Sequence, residues 1–436
     1  MIVNFSVQNF GPIKDKQTLS FEADKSSLLE DYYIIQALDD VRVLKLGLIY
    51  GANASGKTTI LNALDFLRDL VIEPETKKTE TLDFNPFLFD VESSLQNSHI
   101  SIDLIQNGTR YFYEVEFNRK AIINEELYFY NPKKNNVYKR STDVEKQLSL
   151  ITFNSKIEKD KDITKTLAAN TLWNNTVLGG FIKTNIEQKH LKDVTDWFAN
   201  YLKRIIVTQT DLSTYVTARI DNAEIQKETV LNILKQADFN ISNILIEKKE
   251  EAIPNGFIEF LEKQVKAPSD KLEELKIKGK VTSLNLEFEH TVNKEKYSLP
   301  FDLESQGTKR YYGFAGVLSL VIQKPAIFPI DELESSLHPD LFTHFIVSFL
   351  INSKKSQIIA TTHNREVFNN KDIFRNDAIW FTDKSEKGTT ELYSLADFDT
   401  SVIRDTTNVY NAYKAGKLGG IPNLGDYFID IEDEAK

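Results

Sequence analysis

Residues 51–58 read Gly51-Ala52-Asn53-Ala54-Ser55-Gly56-Lys57-Thr58, a complete G-x-x-x-x-G-K-[ST] pattern. What flanks it decides how it is read. Residues 43–50 are mostly apolar and β-leaning, as expected of a strand buried on both faces. Residues 57–70 carry Ile60, Leu64 and Phe66/Leu67 at helical spacing. A buried strand that turns through glycines into an amphipathic helix is a phosphate cradle. The loop's backbone N–H groups wrap the anion, and the helix N-terminus adds a favourable field. Lys57 is expected to reach the β- and γ-phosphates, and Thr58 to ligand Mg²⁺. Gly51, Asn53, Gly56 and Thr59 complete the expected nucleotide-binding loop, so ATP and Mg²⁺ are the expected cofactors.

A second segment, Ala326-Ile327-Phe328-Pro329-Ile330-Asp331-Glu332, is an apolar strand that ends in two carboxylates. Opposite a P-loop, Asp331 can hold Mg²⁺ through water and Glu332 can polarise an attacking water. Standing alone, the same pair would equally serve as a helix N-cap. Ser305-Gln306-Gly307-Thr308 opens an apolar helix from Tyr312 onward, with free N–H groups for an anion or an ordinary cap at Ser305. His363 follows Thr361-Thr362 at the end of another β-like run; it serves either a structural role or contact with a γ-phosphate.

The 436 residues suggest two to three domains at about 150 residues each. With 41% hydrophobic and 27% charged residues, the chain is ordinary globular material. No apolar run is long enough to span a bilayer, and residues 1–6 lack the features of a secretion signal. A cytoplasmic location without membrane partners follows as an expectation. The chain has no cysteine and only six histidines, so disulfides, thiol nucleophiles and a zinc cluster are not expected. A net charge of −11 argues against a surface that broadly coats nucleic acid, though it leaves room for a local basic groove.

Along the chain, residues 1–154 read as β-rich around one strong helix, with a hairpin that turns at Asn107-Gly108. Residues 155–280 read as a mainly helical insertion with a charged outer face, dense in lysine and glutamate from 247 to 280. Residues 281–436 return to an α/β pattern.

The order of these pieces resembles the ABC-type ATPase heads of the SMC, RecF and OLD families. It is closest to the ATPase components of antiphage defence systems such as PARIS, AbiL, Septu and those associated with retrons. The resembling segments are Asn9-Phe10-Gly11-Pro12-Ile13, residues 51–59, 305–310, 331–339, Thr362-His363-Asn364 and 413–422. The resemblance implies a P-loop ATPase head with a mixed sheet and an antiparallel β subdomain, split by the insertion. It implies composite sites in a homodimer or higher oligomer. There Ser305 and Gly307 contact the γ-phosphate held by another subunit, residues 335–339 form the D-loop, and Glu332 and His363 act in catalysis. Where the family has a glutamine after the Walker helix, this chain has Phe84-Asn85-Pro86-Phe87. Asp397-Phe398-Asp399 is the nearest approach to a two-metal nuclease site, and a solvated loop fits it better. The expected function is therefore an ATP-hydrolysing switch in antiphage defence that controls a separate toxin or nuclease, with nucleic acid a candidate trigger. A DNA repair or recombination ATPase of the RecF/SMC kind is the alternative. The insertion's lack of sustained heptads speaks against SMC-type arms.

Overall fold

The computed structural model describes residues 1–155, 161–263, 269–370, 372–398 and 409–421. They fall into two compact units. The first comprises residues 1–208, 324–335 and 349–436, and the second residues 209–323 and 336–348. This division differs from the expected insertion over 155–280.

The first unit begins with β1 (Ile2–Gln8) and β2 (Gln17–Ser20), followed by a small hairpin of β3 (Ile34–Leu38) and β4 (Val41–Leu44). Then come the P-loop strand β5 (Leu46–Gly51) and the helix Lys57–Ile72. A meander continues with β6 (Ser98–Gln106), β7 (Thr109–Phe117), β8 (Ile122–Asn131), β9 (Lys133–Asp143) and β10 (Leu148–Phe153). With β1 and β2 these make a seven-stranded antiparallel sheet in the order β10-β9-β8-β7-β6-β1-β2. The alternation in the sequence explains β7: Tyr111, Tyr113, Val115 and Phe117 are buried while their neighbours are half-buried.

Residues 161–208 belong to this unit because the sheet holds them through buried polar contacts. Glu125 and Arg140 stand directly opposite each other on β8 and β9, 0% and 2% exposed. The Glu125 carboxylate accepts from Tyr113 Oη (2.9 Å), Tyr138 Oη (2.7 Å) and the backbone N–H of Val177 (2.7 Å). Arg140 donates to the carbonyls of Ile122 (2.7 Å) and Trp173 (3.1 Å). Further on, Tyr111 Oη donates to Asp193 at 2.8 Å. Helical periodicity in this stretch says nothing about which core the helices cover, so the sequence pattern groups them with the insertion.

The second unit holds the helices Leu212–Asp221, Lys227–Gln236 and Gln306–Gln323 and one antiparallel sheet. That sheet is β11 (Ile241–Ala252), β12 (Lys280–Val292) and β13 (Glu295–Pro300), in that order. The helix Gln306–Gln323 is buried nearly all round and meets Leu212–Asp221 at very close range. A Cβ on Gly316 would lie 2.2 Å from Val216, so no larger residue fits without displacement. Residues 247–252, expected within a helical insertion, are strand. Both faces of this ribbon are solvated, and Lys280–Glu250 and Lys248–Asp221 ion pairs line it, so it lacks the alternation that marks a strand.

The chain completes the first unit with β14 (Ile327–Ile330), β15 (Gln357–Thr361), β16 (Ile379–Lys384) and β17 (Thr390–Ser394). The sheet order is β14-β15-β5-β16-β17, parallel except for β17. Every residue of β5, β14 and β15 is buried. The first unit is thus an α/β P-loop head with a mixed sheet and an antiparallel β subdomain. Gln357 couples its two sheets: its buried amide accepts from the Ile2 N–H (2.6 Å) and donates to the carbonyls of Ile2 (3.0 Å) and Leu44 (2.9 Å). Among the described residues no helix is long and apolar enough to cross a membrane.

Glu125→Ala should destabilise the first unit by about 3 to 5 kcal/mol, because it strands three buried donors and a buried guanidinium. Glu125→Gln keeps an acceptor oxygen and should cost less. Burial raises the Glu125 carboxyl above its ordinary 4.5, and Arg140 offsets this in part. Above that ordinary value, up to the raised one, the folded state binds more protons than the unfolded one, so this group's contribution to stability falls as pH rises. Denaturant unfolding from pH 4.5 upward should show wild type losing stability relative to Glu125→Gln; a constant difference would rule out the titration.

Candidate functional site

The P-loop leaves β5 at the centre of the parallel sheet, at the carboxyl ends of the strands, where open α/β sheets bind ligands. The chain turns through left-handed backbone at Ala54 (φ 60°) and Gly56 (φ 99°) before the helix starts. At Gly56 a Cβ would come within 2.3 Å of Thr390, so both the conformation and the space require glycine. Two strand threonines fix the loop from beneath. Ser55 Oγ and Thr382 Oγ1 share a hydrogen bond at 2.6 Å, and Thr390 Oγ1 donates to the Ser55 carbonyl at 2.8 Å. Neither threonine stands out in the sequence, where each reads as an ordinary β-former.

Lys57 is buried, and its ammonium donates to the carbonyls of Gly51 and Ala52, each at 3.0 Å. Burial lowers its pKa, and Asp331, Glu332 and Glu334 oppose that shift. Asn53 is exposed at the tip of the loop, and Thr59 follows in the first helical turn.

Asp331 lies at the end of β14 and forms the centre of the site. Its carboxylate accepts from Thr58 Oγ1 at 3.0 and 3.1 Å and from Thr361 Oγ1 at 2.6 Å. Thr361 Oγ1 in turn accepts from the Glu332 N–H at 2.8 Å, which holds the turn where Glu332 adopts φ 49°. A hydroxyl and a carboxylate side by side beneath a phosphate loop are the hard oxygen donors that suit Mg²⁺, which keeps several waters and takes few protein ligands. Thr58 and Asp331 are the residues that could hold it. Among the described residues, no group of three or more His, Cys, Asp or Glu side chains could hold a metal.

His363 follows β15, and its backbone N–H donates to Glu334 Oε1 at 2.5 Å. Loss of hydration, followed by the nearby Lys57 cation, lowers its imidazolium pKa, and Glu334 and Glu332 oppose that shift. The other Glu334 oxygen, Oε2, is buried without a hydrogen bond. Glu334 and Thr361 escaped the sequence reading because their relation to Asp331 and His363 exists only where β14 and β15 run side by side.

Ser305 and Gly307 lie in the second unit. Ser305 Oγ accepts from the Thr308 N–H at 3.1 Å, capping the helix Gln306–Gln323. A Cβ on Gly307 would stand 3.2 Å from the Ser336 carbonyl, so the helix start packs on the expected D-loop. Glu304, just before it, accepts from His290 Nε2 on β12 at 2.7 Å.

In the first unit, Asn9 ties down the segment that replaces the expected glutamine loop. Its amide donates to the Ser93 carbonyl (2.9 Å) and accepts from the Phe87 N–H (3.0 Å), and the Gly11 N–H donates to the Asn85 carbonyl (2.7 Å). The Asn85 side chain itself is exposed. Tyr413 Oη donates to the Gly420 carbonyl at 2.9 Å, folding the C-terminal motif; Pro422 lies outside the described residues. Asp397 accepts from the Ser394 N–H at 2.8 Å in a capping box, a structural use, while Asp399 and Asp405 lie outside the described residues.

A comparison with curated proteins finds no match. Among solved structures, the SMC head domain from Thermotoga maritima is 13% identical with a TM-score of 0.39, covering 90% of this chain and 98% of that one. The SmcHead bound to the C-winged helix domain of ScpA is 12% identical with a TM-score of 0.44, covering 90% and 97%. An Smc head domain with an extended coiled coil, bound to the C-terminal domain of ScpA derived from Pyrococcus furiosus, is 13% identical with a TM-score of 0.38, covering 96% and 98%. A family profile described as "AAA domain, putative AbiEii toxin, Type IV TA system" matches residues 48–369, a span that takes in the P-loop, Ser305, Asp331, Glu332 and His363. That match extends over well more than half of the 436 residues, and the chain belongs to this AAA-domain family.

Proposed function

We propose that the chain is a Mg·ATP-binding and hydrolysing switch, cytoplasmic and self-associating, that controls a separate toxin or nuclease in antiphage defence. One observation carries the nucleotide part: Asp331 accepts from both Thr58 and Thr361 directly beside the P-loop. The family description refers to a toxin system, which is consistent with a link to a toxin without saying which component this chain is.

In this reading Lys57 exchanges its two loop carbonyls for the β- and γ-phosphates. The exchange favours binding because it replaces neutral acceptors with charged ones. Thr58 and Asp331 hold Mg²⁺, which neutralises phosphate charge when bound. Glu332, at the exposed end of its turn, polarises the attacking water, and His363 contacts the γ-phosphate. Ser305 and Gly307 serve the nucleotide of another copy, so that each complete site needs two chains. An effector is then restrained or released according to which nucleotide-dependent arrangement it prefers.

Two measurements test this reading. Lys57→Ala should abolish ATP binding in equilibrium dialysis, while Glu332→Gln should bind normally and hydrolyse about 10²-fold more slowly or worse. A Glu332→Gln protein that turns over at the wild-type rate would remove that carboxylate from the mechanism. In the second, Lys57→Ala and Ser305→Arg proteins, each inactive alone, are mixed. Mixed dimers place both lesions in one site and leave the other whole, so partial ATPase activity should return. Mixed oligomers that form yet stay inactive would argue that each site is built from a single chain.

A further inference from the structure

In the second unit, β12 is longer than one of its neighbours. β11 pairs with it from Lys280 to His290, but β13 pairs only from Glu287 to Val292. Along residues 281–286 the edge turned away from β11 has no strand against it among the described residues. Alternate N–H and C=O groups on that edge therefore lack a ladder partner. The edge is only partly covered. It forms one wall of a groove of about 780 Å³, whose other walls are the helix Leu212–Asp221 and residues 300–302.

The lining gives the groove a chemical character. Leu284 and Leu286 supply half-buried apolar surface on the strand. Asp211, Glu287 and Asp302 supply carboxylates, and no lysine or arginine lines it among the described residues. The Lys309 ammonium sits on the Asp302 carbonyl beside the groove (2.8 Å), but a lining of three carboxylates with no lysine or arginine still disfavours a nucleic-acid backbone and favours a positively charged occupant. The six residues of free edge match a short strand, about 20 Å of extended chain. A polypeptide can satisfy the open ladder through its backbone and the carboxylates through its side chains.

We propose that this groove receives an extended, lysine- or arginine-bearing segment of a partner protein, which adds as a strand beside residues 281–286 of β12. The proposal does not depend on ATP turnover.

The test uses the full chain and fluorescent synthetic peptides of about eight residues in which threonine and valine alternate with lysine. Fluorescence anisotropy should show saturable binding of the lysine peptide and none of its glutamate counterpart. N-methylation of alternate backbone nitrogens keeps the charge but removes the ladder, and should weaken binding by about tenfold or more. The double variant Glu287→Lys/Asp302→Lys should reverse the preference between the two peptides, whereas Glu92→Lys in the other unit should not. Hydrogen exchange should show new protection within residues 281–286 when the lysine peptide binds. Absence of saturable binding to wild type overturns the proposal, as does equal binding of the N-methylated peptide, which would mean attraction by charge alone. Protection of these amides in the free chain that grows with protein concentration would assign the edge to a second copy instead, and binding of single-stranded DNA in competition with the peptide would assign it to nucleic acid.

Discussion

The carboxylate of Asp331 holds the site together. It ends β14, accepts from the threonine that ends β15, and accepts again from the threonine that opens the helix after β5. Three neighbouring strand ends are thus tied to one pair of oxygens, at the edge of the sheet where a parallel arrangement leaves room for a ligand. The same contacts that order the loop leave a hydroxyl and a carboxylate oxygen side by side beneath it. Glu332 and His363 are placed as a consequence, since Thr361 holds the turn of the first and precedes the second by two residues.

The P-loop is supported from below as firmly as from the side. Thr382 and Thr390 belong to a strand pair that would be unremarkable in any sheet, yet their hydroxyls occupy the space that a side chain on Gly51 or Gly56 would need. The antiparallel sheet of the same unit is joined to the parallel one through the buried Gln357 amide, and residues 161–208 are joined to it through Glu125 and Arg140. Buried polar groups of this kind cost free energy unless each is paired, so they specify one arrangement of the segments they connect.

The second unit shows a similar economy around β12. One half of that strand packs Phe288 against Tyr312 and holds Glu304 through His290, next to the Ser305 cap. The other half leaves an edge open in an acidic groove. A strand that is structural at one end and unpaired at the other is an exposed liability unless something covers it, because unpaired ladder groups invite association.

How much of this the sequence shows depends on how local each signal is. The P-loop was legible because its constraint lies within eight consecutive residues: a glycine at φ 99° before the helix, then a lysine and a hydroxyl at the helix start. The strands of the meander were legible because one buried face imposes a period of two. Asp331 and His363 stood out by type and by place, at the ends of apolar runs. Other features depend on contacts between distant residues. Thr361, Thr382, Thr390 and Glu334 become site residues only when the parallel strands align, and nothing local distinguishes them. Residues 161–208 joined the head because buried Glu125 and Arg140 needed their backbone partners, whereas helical periodicity reports only that one face is covered. Residues 247–252 formed a strand without any alternation, since a ribbon solvated on both faces has no core to impose one. Eight consecutive residues specify the glycine-rich loop, and the pattern around it specifies an α/β fold; which segments share a core and which hydroxyls reach the site depend on pairing across hundreds of residues, which no local pattern encodes.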